Sequence, residues 1–294
     1  MISVIICSVD KVLLEAVRQN ITTTIGVEHE VIAIDNLNSG KGICEVYNEG
    51  VALAKYSLLC FLHEDISITT NNWGKTVVAV FRDDKVGLLG IAGSTYRSTV
   101  PSGWFPPHEF GTSSWRLNII QGSRYQNKAE KHEYFNPLKE NLSKVACLDG
   151  VWFCTTKKIA EEIKFDSGLL SGFHGYDIDY SLAVGQHYEV LVSYDILLSH
   201  ASDGNFNDEW LKQIIKVQHK YRNILPLNYE SYEKEVVATM ESSSLKRFLK
   251  EIIKNKSFTV QERKNVLNTY YRQNLIGTFK YLRFLYQLIK IRSN

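Results

Sequence analysis

The sequence predicts an α/β fold: a mostly parallel mixed sheet flanked by helices, with a helical extension toward the C-terminal end. Three observations lead there. Short continuous apolar runs recur between residues 2 and 92, helical patterns separate them, and residues 207–294 are helical in pattern throughout.

The elements follow in order. Residues 2–7 form an apolar run that fits a buried parallel strand. Asp10 stands as N-cap before a helix over residues 11–23. Residues 31–34 are a second buried strand ending at Asp35, and residues 38–42 are loop chemistry. A helix over 43–54 leads to a third strand, 57–62, whose tip is His63-Glu64-Asp65. A helix over 72–81 precedes a fourth strand, 86–92. The rhythm then breaks. Residues 93–144 hold four of the five prolines beside Trp104, Phe105, Trp115 and Tyr125, and such a long irregular stretch is expected to bind or cover a ligand. Strand character returns over 145–155, helix over 177–184, and short strands over 189–192 and 195–198. The expected division is a domain over 1–205, with 93–144 as an insertion, and a helical extension over 206–294.

Composition narrows the function classes. The chain has 294 residues, 44% apolar and 22% charged, enough for a sizeable core without staples. Five cysteines without a CxxC pair argue against a disulfide framework and for a reduced, cytoplasmic protein. No apolar run approaches the ~18 residues needed to cross a bilayer, and the opening residues lack the basic start of a secretory signal. Residues 245–294 carry twelve Lys or Arg against Glu251 and Glu262, a net of +10 in a chain whose total is +2, which leaves −8 on the rest. An acidic body argues against nucleic acid as a partner.

In a parallel sheet, ligands bind at the carboxyl ends of the strands. Asp10, Asp35 with Asn36, and His63-Glu64-Asp65 fall there. The triplet is either a solvated strand end or the carboxylate part of a site for Mg²⁺ or Mn²⁺, to which a neutral imidazole such as His200 adds a ligand. Asp177 and Asp179 precede a helical segment, so they cap it or supply a general base. The first strand is followed by no Gly-x-Gly-x-x-Gly turn, which argues against a dinucleotide oxidoreductase, and Asp10 has no paired aspartate for an aspartyl phosphatase.

These pieces, in this order, resemble the family-2-type nucleotide-sugar glycosyltransferases of GT-A fold, a bacterial subgroup of them in particular, over roughly residues 1–205. The motifs that carry the resemblance are Glu30 to Asn36, Ser39-Gly-Lys-Gly42 with Asn48-Glu-Gly50, His63-Glu64-Asp65, and Tyr176-Asp-Ile-Asp179. The resemblance implies donor contacts at Ser8, Asp35, Asn36, Lys41, Asn48, Glu64 and Asp65, a divalent metal (Mn²⁺ or Mg²⁺) on Asp65 and His200, and Asp177 as catalytic base. It implies acceptor contacts at Trp104, Asp149, His174 and Tyr176. The sequence departs from the family in two places: Ser8-Val-Asp10 replaces Pro-x-Tyr-Asn, and His63 replaces the first acidic residue of Asp-x-Asp.

The expected activity is therefore transfer of a sugar from a nucleotide diphosphate, a UDP-sugar, to a hydroxyl of a glycan or lipid-linked acceptor in cell-surface polysaccharide synthesis, by inverting displacement. The alternative is a GT-A-like nucleotide-sugar-binding protein without catalysis. The helix expected over 275–292 has a narrow polar stripe of Lys280, Arg283, Gln287 and Lys290 on an otherwise apolar surface. It either packs on the body or a second copy, as in a homo-oligomer, or lies on the inner face of the membrane.

Overall fold

The computed structural model describes residues 1–106, 113–122, 130–201, 207–273 and 275–292, with side chains through residue 288. Tyr125 and residues 202–206, both weighed in the sequence, lie outside the described residues. The first part of the chain runs β1 (Ile2–Ser8), α1 (Lys11–Thr24), β2 (His29–Asp35), α2 (Ile43–Leu53), β3 (Leu58–Leu62), β4 (Ile66–Ile68), α3 (Trp73–Val80) and β5 (Val86–Gly90). Then come β6 (Ala92–Ser94), β7 (Tyr96–Arg97), β8 (Trp115–Gln121), β9 (Lys131–Phe135), β10 (Leu142–Lys144), β11 (Cys147–Leu148), β12 (Trp152–Thr156) and α4 (Lys157–Glu162). The remainder is α5 (Tyr176–Val184), β13 (Glu189–Ser193), β14 (Leu198–His200), α6 (Asp208–Lys220), β15 (Leu227–Asn228), α7 (Lys234–Lys254), α8 (Val260–Arg272) and α9 (Thr278–Arg292).

Among the described residues a seven-stranded sheet has the order β10-β13-β5-β12-β3-β1-β2. β1 is parallel to β2 and β3, while β12 runs antiparallel between β3 and β5, so the sheet is mixed. Alternation along β1 sends Ile5 to one core and Val4 and Ile6 to the other, so helices cover both faces. Gly50 lets α2 settle on β1, since a Cβ there would meet Ile5 Cγ2 at 2.4 Å. Asp10 caps α1 by accepting from the Val12 and Leu13 N–H groups, as its sequence position predicts.

Three expectations need correction. β2 is half-buried rather than buried, because it is the edge strand and has a neighbour on one side only. The strand expected over 86–92 divides: β5 stays in the first sheet and β6 enters a second, six-stranded sheet. Much of the stretch expected to be irregular, 93–144, is that second sheet, with order β11-β6-β8-β14-β4 and β9 paired to β8. Its strands are short, and β8 turns polar residues inward. Arg116, 1% exposed, pairs with Glu230, and Asn118 donates to the Tyr194 carbonyl at 2.8 Å. Buried polar groups with partners erase the alternation that announces a strand.

Residues beyond 207 share the first core: Leu211, Ile214 and Val217 of α6 belong to the same cluster as Ile5 and Phe61, and β15 pairs with β7. α9 packs through Phe284 and Leu288, whereas Phe279 is 82% exposed. No helix among the described residues is long and apolar enough to cross a membrane.

Candidate active site

Five buried or half-buried apolar residues make β3, and its ladders with β1 and β12 carry His63, Glu64 and Asp65 to one end of the sheet. The two short strands β4 and β14 do the rest. Their antiparallel register sets His200 opposite Ile66, which brings His200 Nε2 to 3.6 Å from Asp65 Oδ1. His63 Nδ1 lies 3.9 Å from the same oxygen. Ligand atoms of His63, Asp65 and His200 all fall within 4.8 Å of one another. Two imidazoles and a carboxylate suit a borderline divalent ion such as Mn²⁺. His200 Nε2 is buried and makes no hydrogen bond, as an atom reserved for a metal would be. The residues present therefore fit the group. In the sequence His63 stands in the strand-tip triplet and as a departure from Asp-x-Asp; an imidazole at that tip in place of a carboxylate is the signal that it can join the ligand set.

Burial first, and then the neighbouring His200, push the His63 pKa down, which keeps the ring neutral. Its Nε2 lies 2.9 Å from the Tyr176 hydroxyl, which donates to the Gly150 carbonyl at 3.0 Å.

Asp177 sits in the first turn of α5, after Gly175, whose φ of 78° is a conformation that favours glycine. The Gly150 N–H donates to Asp177 Oδ2 at 3.2 Å. Burial, and then the nearby Asp149 carboxylate, push the Asp177 pKa up to about 7. Asp179 has a different use. It is 2% exposed and its Oδ1 accepts from Lys220 Nζ at 2.8 Å, tying α5 to α6. The two aspartates that look equivalent in sequence face opposite ways along the helix, one toward a cavity and one toward the core.

Two cavities meet at this point. The larger, about 440 Å³, is lined by Asp149, Asp177, His174, Tyr176, Trp104 and His200 among others. The smaller, about 270 Å³, is lined by Cys7, Val9, Tyr47, Glu64 and Asp65 among others. His63 and Phe173 line both. Trp104 packs edge-on to Phe105, with ring centroids 4.6 Å apart, and burial lowers the pKa of His174. Tyr176 is 4% exposed and its hydroxyl is engaged internally, so it gives the wall shape rather than a free hydroxyl.

The remaining donor candidates divide. Glu64 accepts from the Ser8 hydroxyl at 2.7 Å and from the Val9 and Asp10 N–H groups at 3.2 and 3.1 Å, which holds the β1–α1 turn against the smaller cavity. Asp35 is exposed and accepts from Leu37 N–H, and buried Asn36 donates to the Lys41 carbonyl. Lys41 Nζ pairs with Glu49 at 2.5 Å, and the Asn48 amide bridges both backbone groups of Phe165. These four residues line neither cavity.

The sequence pattern of a family described as glycosyltransferase-like matches residues 3–239. The streptomycin biosynthesis protein StrF of Streptomyces griseus is 24% identical over 187 residues, and the chain spans about 60% of the length of that curated relative and 62% of its own. Among solved structures, GalNAc-T7 with UDP, GalNAc and Mn²⁺ superposes with a TM-score of 0.51 at 14% identity, covering 86% of this chain and 56% of that one. Residues 1–349 of S. aureus TarS superpose with a TM-score of 0.52 at 12% identity, covering 91% and 78%. TarS in complex with UDP-GlcNAc gives 0.52 at 11% with the same coverage. Likeness at these identities speaks to the fold alone, which is GT-A.

Proposed function

The chain belongs to the glycosyltransferase-like family, and from that premise we propose that it transfers a sugar from a UDP-sugar to an acceptor hydroxyl of a glycan or lipid-linked substrate. The observation that carries this reading is the cluster of His63, Asp65 and His200 standing where two cavities meet, with Asp177 on the wall of the larger. The smaller cavity takes the nucleotide, and the larger takes the acceptor.

His63, Asp65 and His200 would hold the divalent ion, Mn²⁺ or Mg²⁺. When bound, it supplies positive charge that stabilises the departing diphosphate. The rest falls to the chain itself. Glu64 keeps the β1–α1 turn in place under the nucleotide, with Ser8 as its partner. Exposed Asp35, at the end of β2, meets the base and ribose where they extend past the smaller cavity, while buried Asn36 serves its own loop. Lys41 and Asn48 serve their own loop and helix instead. Asp177 accepts the acceptor hydroxyl proton while that oxygen bonds to the anomeric carbon and the bond from this carbon to the phosphate oxygen breaks. Attack opposite the leaving group inverts configuration. With a pKa raised to about 7, Asp177 binds that proton more firmly than an ordinary carboxylate and is about half ionised near neutrality. Trp104 and His174 meet the acceptor, and Asp149 tunes Asp177. The exposed Phe279 beside Lys280 and Arg283 supports contact of α9 with an anionic membrane surface, where a lipid-linked acceptor would lie.

The test is thermal stability with nucleotide diphosphates and nucleotide sugars, with and without Mn²⁺. A ligand at about 100 times its Kd stabilises by ~2.7 kcal/mol. UDP with Mn²⁺ is expected to raise Tm, and His200→Ala is expected to remove the Mn²⁺-dependent part of that rise. A rise equal with and without Mn²⁺ in the unaltered chain removes the metal from the reading, and no rise with any nucleotide removes the reading.

A further inference from the structure

The hydrogen bonds around Tyr176 fix more than a wall. We propose that Tyr176 is a positioning residue that locks His63 in the Nε2–H tautomer, so that the bare Nδ1 lone pair is presented to Asp65 and His200. A carbonyl oxygen only accepts, and a phenol has one hydrogen. Tyr176 spends that hydrogen on the Gly150 carbonyl at 3.0 Å. The contact between the Tyr176 oxygen and His63 Nε2, 2.9 Å, must then run from Nε2–H to the phenol oxygen. A neutral imidazole carries one N–H, so Nδ1 has none, and Nδ1 is the ring atom 3.9 Å from Asp65 Oδ1.

Two further features show that the seat is built. A Cβ at residue 150 would lie 2.2 Å from the Tyr176 oxygen, so only glycine leaves room for the hydroxyl. Tyr176 is 4% exposed and packs edge-on to Tyr47 at 5.6 Å between centroids, which holds the ring against rotation away. The Gly150 peptide also faces the other way, its N–H donating to Asp177 Oδ2 at 3.2 Å. The backbone of one residue thereby positions a ring of the candidate ion cluster through its carbonyl and the candidate base through its N–H. The metal part of this inference rests on the reading above; the tautomer part does not.

The experiment is long-range ¹H–¹⁵N spectroscopy of the imidazoles in the metal-free full chain, with the His63 signals assigned by His63→Gln, beside Mn²⁺ binding followed by electron paramagnetic resonance. The unaltered protein is expected to show His63 protonated at Nε2 and bare at Nδ1. Tyr176→Phe is expected to show a mixture of tautomers and to bind Mn²⁺ about 10–100-fold more weakly, the usual effect of losing a partner behind a metal ligand. A His63 ring protonated at Nδ1 in the unaltered chain overturns the proposal, whatever the variant does. Unchanged Mn²⁺ affinity in a folded Tyr176→Phe also overturns it. An Nε2–H ring in a chain that binds no Mn²⁺ overturns the metal reading instead and leaves the tautomer lock standing.

Discussion

The walls of the two cavities are made differently. The smaller is built from neighbouring strand ends: β1 and β3 are paired in parallel with Ile6 opposite Leu62, so Cys7, Val9, Glu64 and Asp65 arrive together by ladder geometry. The larger is assembled from Trp104, Asp149, the start of α5, His200 and Trp210 of α6, segments far apart in the chain. One wall rests on two paired strands, with Leu13 of α1, Tyr47 of α2 and Phe173 closing it. The other exists only once the second sheet and α6 have docked. The contrast suits a transferase, in which the donor side is held constant while acceptor contacts are free to vary.

Asp177→Asn tests the larger wall most severely. It is expected to lower kcat for transfer by ~10²–10⁴-fold, the usual worth of a positioned base, while calorimetry shows unchanged UDP affinity. Equal losses in both would place Asp177 on the donor side and erase the distinction. Asp149→Asn sharpens it. Asp177 is protonated below about pH 7 and cannot then accept a proton, so kcat/KM is expected to rise with pH through that value. Removing the neighbouring negative charge lowers the Asp177 pKa and is expected to move this limb to lower pH; an unmoved limb would show that another group controls it. Trp104→Ala should act on the acceptor alone, raising acceptor KM several-fold through loss of an aromatic face, with donor hydrolysis unchanged. Smaller still is the expected effect of Phe279→Ser, a partial loss of flotation with anionic vesicles. Equal flotation would assign α9 to packing only.

The same contrast explains what could be read in advance. The apolar runs of β1 and β3, the Asp10 cap and the polar strand tips are local features, each legible within a few residues. The second sheet was not legible, because Arg116 and Asn118 point inward in β8 and find Glu230 and Tyr194 more than seventy positions away. β4, three residues long, is too short to carry a strand signature, yet its register with β14 is what carries His200 to Asp65. Asp177 and Asp179 form a pair in sequence, and only Lys220, arriving on α6, sets the second apart as a structural counter-ion.

The sequence by itself determined the α/β alternation and which polar residues stand at strand ends, because periodicity and capping are decided by near neighbours along the chain. Tertiary structure alone decided that ligand atoms of His63, Asp65 and His200 come together, that His63 Nε2 meets Tyr176, and that burial pushes the Asp177 pKa up to about 7. Those outcomes depend on burial and on partners brought in from other elements, Tyr176 and His200 for His63 and Asp149 for Asp177, and neither quantity exists until the chain has closed on itself.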